Sequence, residues 1–437
     1  MSGPRPLDRY LDRLKRIDPM PVSGRVTRTV GLVVESRGPR ARVGELCELT
    51  SAAGGPALPL EVVGFRDGSL LTVPLGTTSG ICPGDVIVAR GAVSSVRVGT
   101  KLLGRVLDGL GRPLDDKGEI DTTEDYPLYP PPLNPMDRQP IVAPLGTGVR
   151  AVDALLTCGR GQRVGLFGGS GVGKSTLLGM MARTTGADVA VIGLVGERGR
   201  EVRSFIDHDL GPEGLERSVV IASTSDNPPL VRIRAAFAAT AIAEYFRDQG
   251  LNVLLMMDSV TRFAMAQREI GLAAGEPPTA KGYPPSVFAL LPGLLERAGN
   301  VEGRGSITAL YTVLVEGDDT NEPVADAVRA ILDGHIVLSR DLASRNHYPA
   351  IDILQSVSRT MPDVTSVEHR LKAGQVRDWL STARDSEDLV SVGAYVAGSN
   401  PRIDDALAKR DGIHAFLRQP MDQSSSFQDA VDSLMAL

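Results

Sequence analysis

The sequence predicts an α/β protein in three parts: a small all-β N-terminal barrel or sandwich, a central domain built on a mostly parallel sheet, and a helical C-terminal piece. Three observations carry this. Residues 168–175 read Gly-Gly-Ser-Gly-Val-Gly-Lys-Ser, between the apolar run Arg163–Phe167 and the helix-forming stretch Thr176–Arg183. Such a strand–loop–helix setting is what a phosphate-binding loop requires. Val- and Leu-rich runs recur between residues 22 and 92, punctuated by turn residues, the spacing of a small barrel or sandwich. Continuous apolar runs at Val189–Val195, Val253–Met257 and, broken only by threonines, Ile307–Val315 are strands buried on both faces.

Taken in order, Leu7, Tyr10, Leu11, Leu14 and Ile17 fall on one face at helical spacing, so a short amphipathic helix is expected within 1–20. The strands expected in 21–92 are Val26–Glu35, Arg42–Leu49, Leu58–Phe65, Ser69–Val73 and Asp85–Ala89, separated by Gly38-Pro39, Ala53-Gly54-Gly55-Pro56 and Pro83-Gly84. Tyr126–Pro140, with Pro130-Pro131-Pro132, should be extended and stiff. The nucleotide domain spans 93–365. Beyond it, 366–437 turns polar and helical around Arg370–Arg384, Ser386–Ala397 and Arg402–Leu417, with Ser424-Ser425-Ser426 a loop.

Composition narrows the function. A chain of 437 residues exceeds one ordinary core. Its 42% hydrophobic and 23% charged residues are those of a soluble globular protein, and no run approaches the ~20 apolar residues of a membrane span. The start, Met1-Ser2-Gly3-Pro4-Arg5-Pro6, lacks a signal peptide's apolar core, so a cytosolic location is expected. Cys47, Cys82 and Cys158 show no metal spacing and read as small buried hydrophobes. The five histidines also lack metal spacing and read as structural. A net charge of −6 and 4% aromatics argue against nucleic acid as the main partner.

The chemistry follows from the loop. Backbone N–H groups of Gly168, Gly169, Ser170, Gly171, Val172, Gly173 and Thr176 can curl around phosphates, Lys174 adds a point charge, and the Ser175 hydroxyl is placed to ligate Mg²⁺. The chain therefore binds a nucleoside triphosphate. Asp258 ends an apolar strand, the position from which an aspartate holds the metal's water shell; the alternative is a cap on the helix Ser259–Ala266. Glu197 stands where another strand ends, in Gly196-Glu197-Arg198-Gly199-Arg200-Glu201. A carboxylate there can orient the attacking water. Glu201 lies one helical turn later and can pair with Arg198 or Arg200.

With these residues in view, the sequence resembles the rotary ATPase α/β family. The resemblance rests on Gly168–Ser175, Gly196-Glu197-Arg198, Met257-Asp258-Ser259 and Pro349–Arg359. Gly196–Val202, Asp258–Ala264, His347–Asp352 and Gly393–Pro401 are similar to the export-ATPase branch, the enzymes of flagellar and injectisome type III secretion. Nearly the whole chain is covered. The resemblance implies a β-barrel, a RecA-like core, a helical C-terminal domain, and a homohexameric ring with active sites between subunits. It implies ATP as substrate with Mg²⁺, Glu197 as the water-activating carboxylate and Asp258 in the metal shell. Arg198 and Arg262 would line the site, Arg359 would be an arginine finger inserted from a neighbour, Tyr348 would stack on adenine, and Phe416 would close the adenine pocket. Implied partners are a stator-like regulator at the N-terminal region, a coiled-coil stalk in the pore, the export gate and chaperone–cargo complexes. The place implied is the inner-membrane export apparatus, bound peripherally.

Because one chain carries both Glu197 and Arg359, a homohexamer can supply both halves of every interface. The competing readings are a rotary ATP synthase catalytic subunit, an RNA-translocating hexameric helicase and a binding-only member. Gly199-Arg200-Glu201-Val202 favours an export ATPase over the first, and the complete Lys174, Glu197, Asp258 and Arg359 set argues against the last. Val30–Pro39 is more similar to the flagellar form than to the injectisome form.

Overall fold

Six short strands close into a barrel, which decides between barrel and sandwich. The computed structural model describes residues 22–51, 54–122, 124–315 and 322–437; the helix expected at 7–17 lies outside them. The barrel strands are β1 (Ser23–Val30), β2 (Val33–Arg37), β3 (Glu45–Thr50), β4 (Leu58–Arg66), β5 (Ser69–Pro74) and β6 (Val86–Val93), paired in the order β1-β2-β5-β4-β3-β6 with β6 returning to β1. Val26, Val34, Cys47, Leu49, Leu60, Val62, Leu70 and Ile87 fill the interior. The run Val26–Glu35, expected as one strand, is instead a hairpin. Val30 pairs with Val33 across Gly31-Leu32, and Gly31 takes the φ of 57° that so tight a turn demands. Cys82, expected to be buried, is exposed; Cys47 and Cys158 are buried.

Of the described residues, those from 22 to 94 with Glu269–Glu276 form one compact unit, and those in 95–268 and 277–437 form the other. In the second unit the linker Tyr126–Pro140, expected to be extended throughout, starts on a strand but turns through a short 3-10 helix at Pro135–Asp137, capped by Asn134. β7 (Ser95–Val98) pairs antiparallel with β9 (Glu124–Pro127). The central sheet runs β17-β16-β10-β15-β13-β11-β12-β8, with β14 (Gly299–Asn300) antiparallel beside β15. Its members are β8 (Arg105–Asp108), β10 (Arg163–Gly168), β11 (Val189–Glu197), β12 (Ser218–Thr224), β13 (Asn252–Asp258), β15 (Ser306–Leu314), β16 (Gly334–Leu338) and β17 (Ile351–Ser358). Every pairing from β16 to β8 is parallel, so the carboxyl ends of β10, β13 and β11 lie on one rim; β17 alone closes its edge antiparallel.

The helix Pro229–Asp248 packs on β11, β12 and β13. Its alanines explain the close approach: a Cβ on Gly193 of β11 would sit 3.1 Å from that of Ala239. The C-terminal region holds three helices. Val367–Ser391 is one continuous helix where two segments were expected. Pro401–Leu417 follows, and Phe427–Met435 is begun by a capping box between Ser426 and Asp429. Narrow apolar stripes, Ala373, Val376 and Trp379 on one helix and Ala406, Ile413 and Phe416 on the next, join the core that reaches the phosphate-loop helix. That is why segments so polar still fold as helices. Among the described residues no helix is long and apolar enough to cross a membrane.

Candidate active site

β10 ends at Gly168, and the helix Lys174–Thr184 begins six residues later. Between them Gly171 and Gly173 take φ values of 79° and 87°, left-handed conformations that glycine adopts without a Cβ penalty. Gly173 is the helix N-cap and makes no side-chain cap bond, so the first-turn N–H groups stay available to an anion. Val172 is 1% exposed and belongs to the core. Its side chain anchors the loop, and only its backbone can meet a phosphate.

The parallel register brings the two sequence-predicted carboxylates to this loop. Lys174 Nζ lies 2.6 Å from Asp258 Oδ1, and both side chains are largely buried. The Thr312 hydroxyl of β15 donates to the same Asp258 oxygen at 2.7 Å. Leu194 pairs with Asp258 across β11 and β13, which sets Glu197 three residues beyond, at the end of its strand. One oxygen of Glu197 is buried and has no hydrogen-bond partner. Burial first, then the charge of Asp258, push the Glu197 carboxyl up to about 7, against the pull of Lys174 and Arg262. A carboxylate poised near neutrality with a vacant acceptor oxygen can hold and polarise a water.

Arg262 sits one turn into the helix Val260–Ala273, its N–H donating to Ser259 Oγ at 3.3 Å. Its stem lies over Gly196, where a Cβ would come within 2.8 Å of the Arg262 Cβ. Arg198 is exposed and pairs with Glu201 at 3.4 Å, and Arg200 approaches Glu201 at 3.9 Å. Glu201 thus meets these arginines and also shares a side-chain hydrogen bond with Glu197. A cavity of about 390 Å³ is lined by Gly169, Lys174, Ser175, Glu197, Arg198 and Arg262, among others.

Tyr348 is 42% exposed, and its ring carbons stand 3.5 Å from where a Cβ on Gly173 would be, beside the loop. Phe416 is 7% exposed, with the Arg150 guanidinium 6.0 Å from its ring centre. Arg359 is the exception. It is exposed at the end of β17, its N–H bonded to the Asp333 carbonyl, while Asp333 holds Arg163 at the start of β10. The phosphate loop begins at the other end of β10, five residues or about 16 Å away. Arg359 cannot reach its own phosphate loop.

Among the described residues no three His, Cys, Asp or Glu side chains are grouped to hold a metal ion. Mg²⁺ arriving on phosphate oxygens needs only one or two protein ligands. The exposed Ser175 hydroxyl and the Asp258 carboxylate fit that requirement. Sequence reading missed Thr312, whose signal was a threonine interrupting an apolar strand. It also missed Asp209, which accepts a hydrogen bond from the Thr176 hydroxyl and had no local signature.

A phosphate loop with strand-end carboxylates on a parallel sheet defines a phosphate-loop nucleoside triphosphatase. Residues 148–358 match the model for the ATP synthase alpha/beta family nucleotide-binding domain, 26–91 that family's beta-barrel domain, and 365–436 the T3SS EscN ATPase C-terminal domain. The flagellum-specific ATP synthase of Bacillus subtilis is 51% identical, covering 98% of both chains. A type 3 secretion system ATPase of Sinorhizobium fredii is 52% identical, covering 95% of this chain and 92% of its own. The assembled ATPase EscN of enteropathogenic E. coli superposes with a TM-score of 0.90 at 46% identity, covering 94% of this chain and 99% of its own. EscN is also known in complex with its central stalk EscO, with a TM-score of 0.87 at 45% identity and the same coverage. The chain belongs to the ATP synthase alpha/beta family, in the branch of flagellum-specific ATP synthases and type 3 secretion ATPases; it is an ATPase of the type III export class.

Proposed function

We propose that this ATPase works as a homohexameric ring that energises flagellar type III export, with each active site completed by its neighbour. The observation that carries the reading is the separation of parts: Lys174, Glu197, Asp258 and Arg262 converge on one pocket, while Arg359 is held at the opposite end of β10, a strand about 16 Å long from Arg163 to Gly168. A site whose charge-neutralising arginine is held elsewhere needs a second copy. The assembled state of EscN, and its complex with a central stalk, support extending the ring and a coiled-coil stalk partner to this chain. The flagellar route is supported by the β1–β2 segment Val30–Pro39.

In this mechanism the loop N–H groups and Lys174 hold the β- and γ-phosphates, Lys174 leaving Asp258 as they enter. Ser175 and Asp258 would hold Mg²⁺, which would supply positive charge against the phosphates. Glu197 orients the water in line with the γ-phosphorus. Arg198 and Arg262 line the γ-phosphate side, and the neighbour's arginine offsets the charge that spreads over the equatorial oxygens, an effect of about 10³–10⁵ in rate. Tyr348 stacks on adenine, and Phe416 closes the adenine pocket. Turnover then serves release of cargo from chaperones and its delivery to the export gate. A stator-like regulator at the N-terminal region would hold the ring peripherally at the inner membrane, and no specific nucleic acid takes part.

Mixing Arg359→Ala with Lys174→Ala subunits tests the shared site. Each homogeneous ring should be inactive, and the mixture should recover activity at interfaces carrying both intact halves. No recovery in mixed rings of verified composition would refute the arrangement.

A further inference from the structure

We propose that Gln419 is a positioning residue for the nucleotide, fixing Tyr348 against the phosphate loop; this rests on the adenine-stacking reading of Tyr348. Gln419 lies in the connection between the helices Pro401–Leu417 and Phe427–Met435 and is 4% exposed. Its backbone N–H donates to the Tyr348 carbonyl at 3.0 Å. Its side-chain oxygen accepts from the Arg150 N–H at 2.8 Å. Its amide nitrogen donates to the Gly148 and Gln423 carbonyls, each at 2.8 Å. One buried amide thus uses its acceptor and both donors on backbone groups, those of Gly148 and Arg150 far away in sequence and that of Gln423 four residues on.

The surroundings make that amide a junction. Arg150 Nη2 donates to the Arg418 carbonyl at 2.6 Å, and its guanidinium lies 6.0 Å from the Phe416 ring centre. Residues 416–423 are therefore joined to the loop Gly148–Arg150. That loop is seated in turn on the phosphate-loop helix: the Thr184 hydroxyl, with one proton to share, lies 2.9 Å from the Thr147 carbonyl and 2.7 Å from the Met180 carbonyl of its own helix, and a Cβ on Gly148 would overlap that hydroxyl. A continuous path runs from the end of the phosphate-loop helix through Gln419 to Tyr348, whose ring stands beside Gly173 at the start of the same helix. Removing the amide leaves the half-buried Arg150 N–H without its acceptor and takes one of two donors from the buried Gly148 carbonyl, which the Ser425 N–H also meets at 3.3 Å, a loss that is costly where water is largely excluded. The segment then shifts to rehydrate them and takes the Tyr348 carbonyl with it.

The test measures ATP turnover and the dissociation constant of a fluorescent ADP analogue in the full-length protein. Gln419→Leu should raise KM and the dissociation constant about tenfold, the equivalent of one hydrogen bond's worth of misplacement, with kcat within about twofold. Gln419→Glu, which keeps the acceptor for Arg150 but turns a carboxylate onto two carbonyls, should act in the same direction and serves if the leucine variant does not fold. In a Tyr348→Ala background the Gln419 substitution should add nothing. Additive losses in the double variant, or a lower melting temperature with KM unchanged, would overturn the proposal. Unaltered nucleotide affinity in Tyr348→Ala alone would instead sink the adenine-stacking reading on which it rests.

Discussion

Lowering the pH from 8 to 6 perturbs one pocket group above all, Glu197. Burial and the Asp258 charge raise its carboxyl to about 7, well above the ordinary glutamate range. The sign is fixed by the role. Only the ionised carboxylate can accept a proton from water, so the active form is present above pH 7 and is lost as pH falls through it. Half the sites are ionised at the midpoint and about one-tenth a unit below, so kcat/KM should fall about tenfold per unit on the acid side. The assay is kcat/KM of the assembled enzyme from pH 5.5 to 9. The substrate's own terminal phosphate titrates in this range, so carbon NMR of the Glu197 carboxyl in nucleotide-free protein supplies the independent midpoint. Asp258→Asn removes the repelling charge, and a charge within about 4–6 Å moves a carboxyl by about 1–3 units. The NMR midpoint in that variant should therefore drop by about a unit or more. A wild-type midpoint below 5.5, or one unmoved by Asp258→Asn, would refute the reasoning.

Two further substitutions probe the supports of the site. Gly196→Ala places a Cβ 2.8 Å from the Arg262 Cβ at a φ of 72°. The left-handed backbone alone costs about 1–2 kcal/mol, so thermal unfolding should shift down and ATPase activity should be largely lost; wild-type activity would contradict the contact. Thr312→Val deletes the hydroxyl on the Asp258 oxygen that also meets Lys174, leaving shape intact. The Mg²⁺ concentration for half-maximal activity should rise several-fold, and an unchanged value would remove Thr312 from the site.

The phosphate loop was legible because its chemistry is local: glycines, a lysine and a serine at fixed spacing between an apolar run and a helix former. Glu197 and Asp258 were legible as polar ends of apolar strands, since ligands gather at carboxyl ends in open α/β sheets. Strand ends in the barrel were harder. Val26–Glu35 hid its turn because Gly31-Leu32 is flanked by valines on both sides. The helix Phe427–Met435 is short, and its start is declared only by Ser426 with Asp429 three residues on. Thr312 and Gln419 carry no motif at all. Their roles arise where strand register, or a buried amide, joins stretches far apart in sequence, and no local pattern encodes that meeting.

The claim that each site is shared between subunits is tested most directly by ATPase rate per subunit against protein concentration, with particle mass followed by light scattering. Arg359, held at the far end of β10 from its own loop, predicts a rate per subunit that rises steeply as a six-subunit particle forms. A full rate from monomers, independent of concentration, would show each chain to be self-sufficient and would contradict the account.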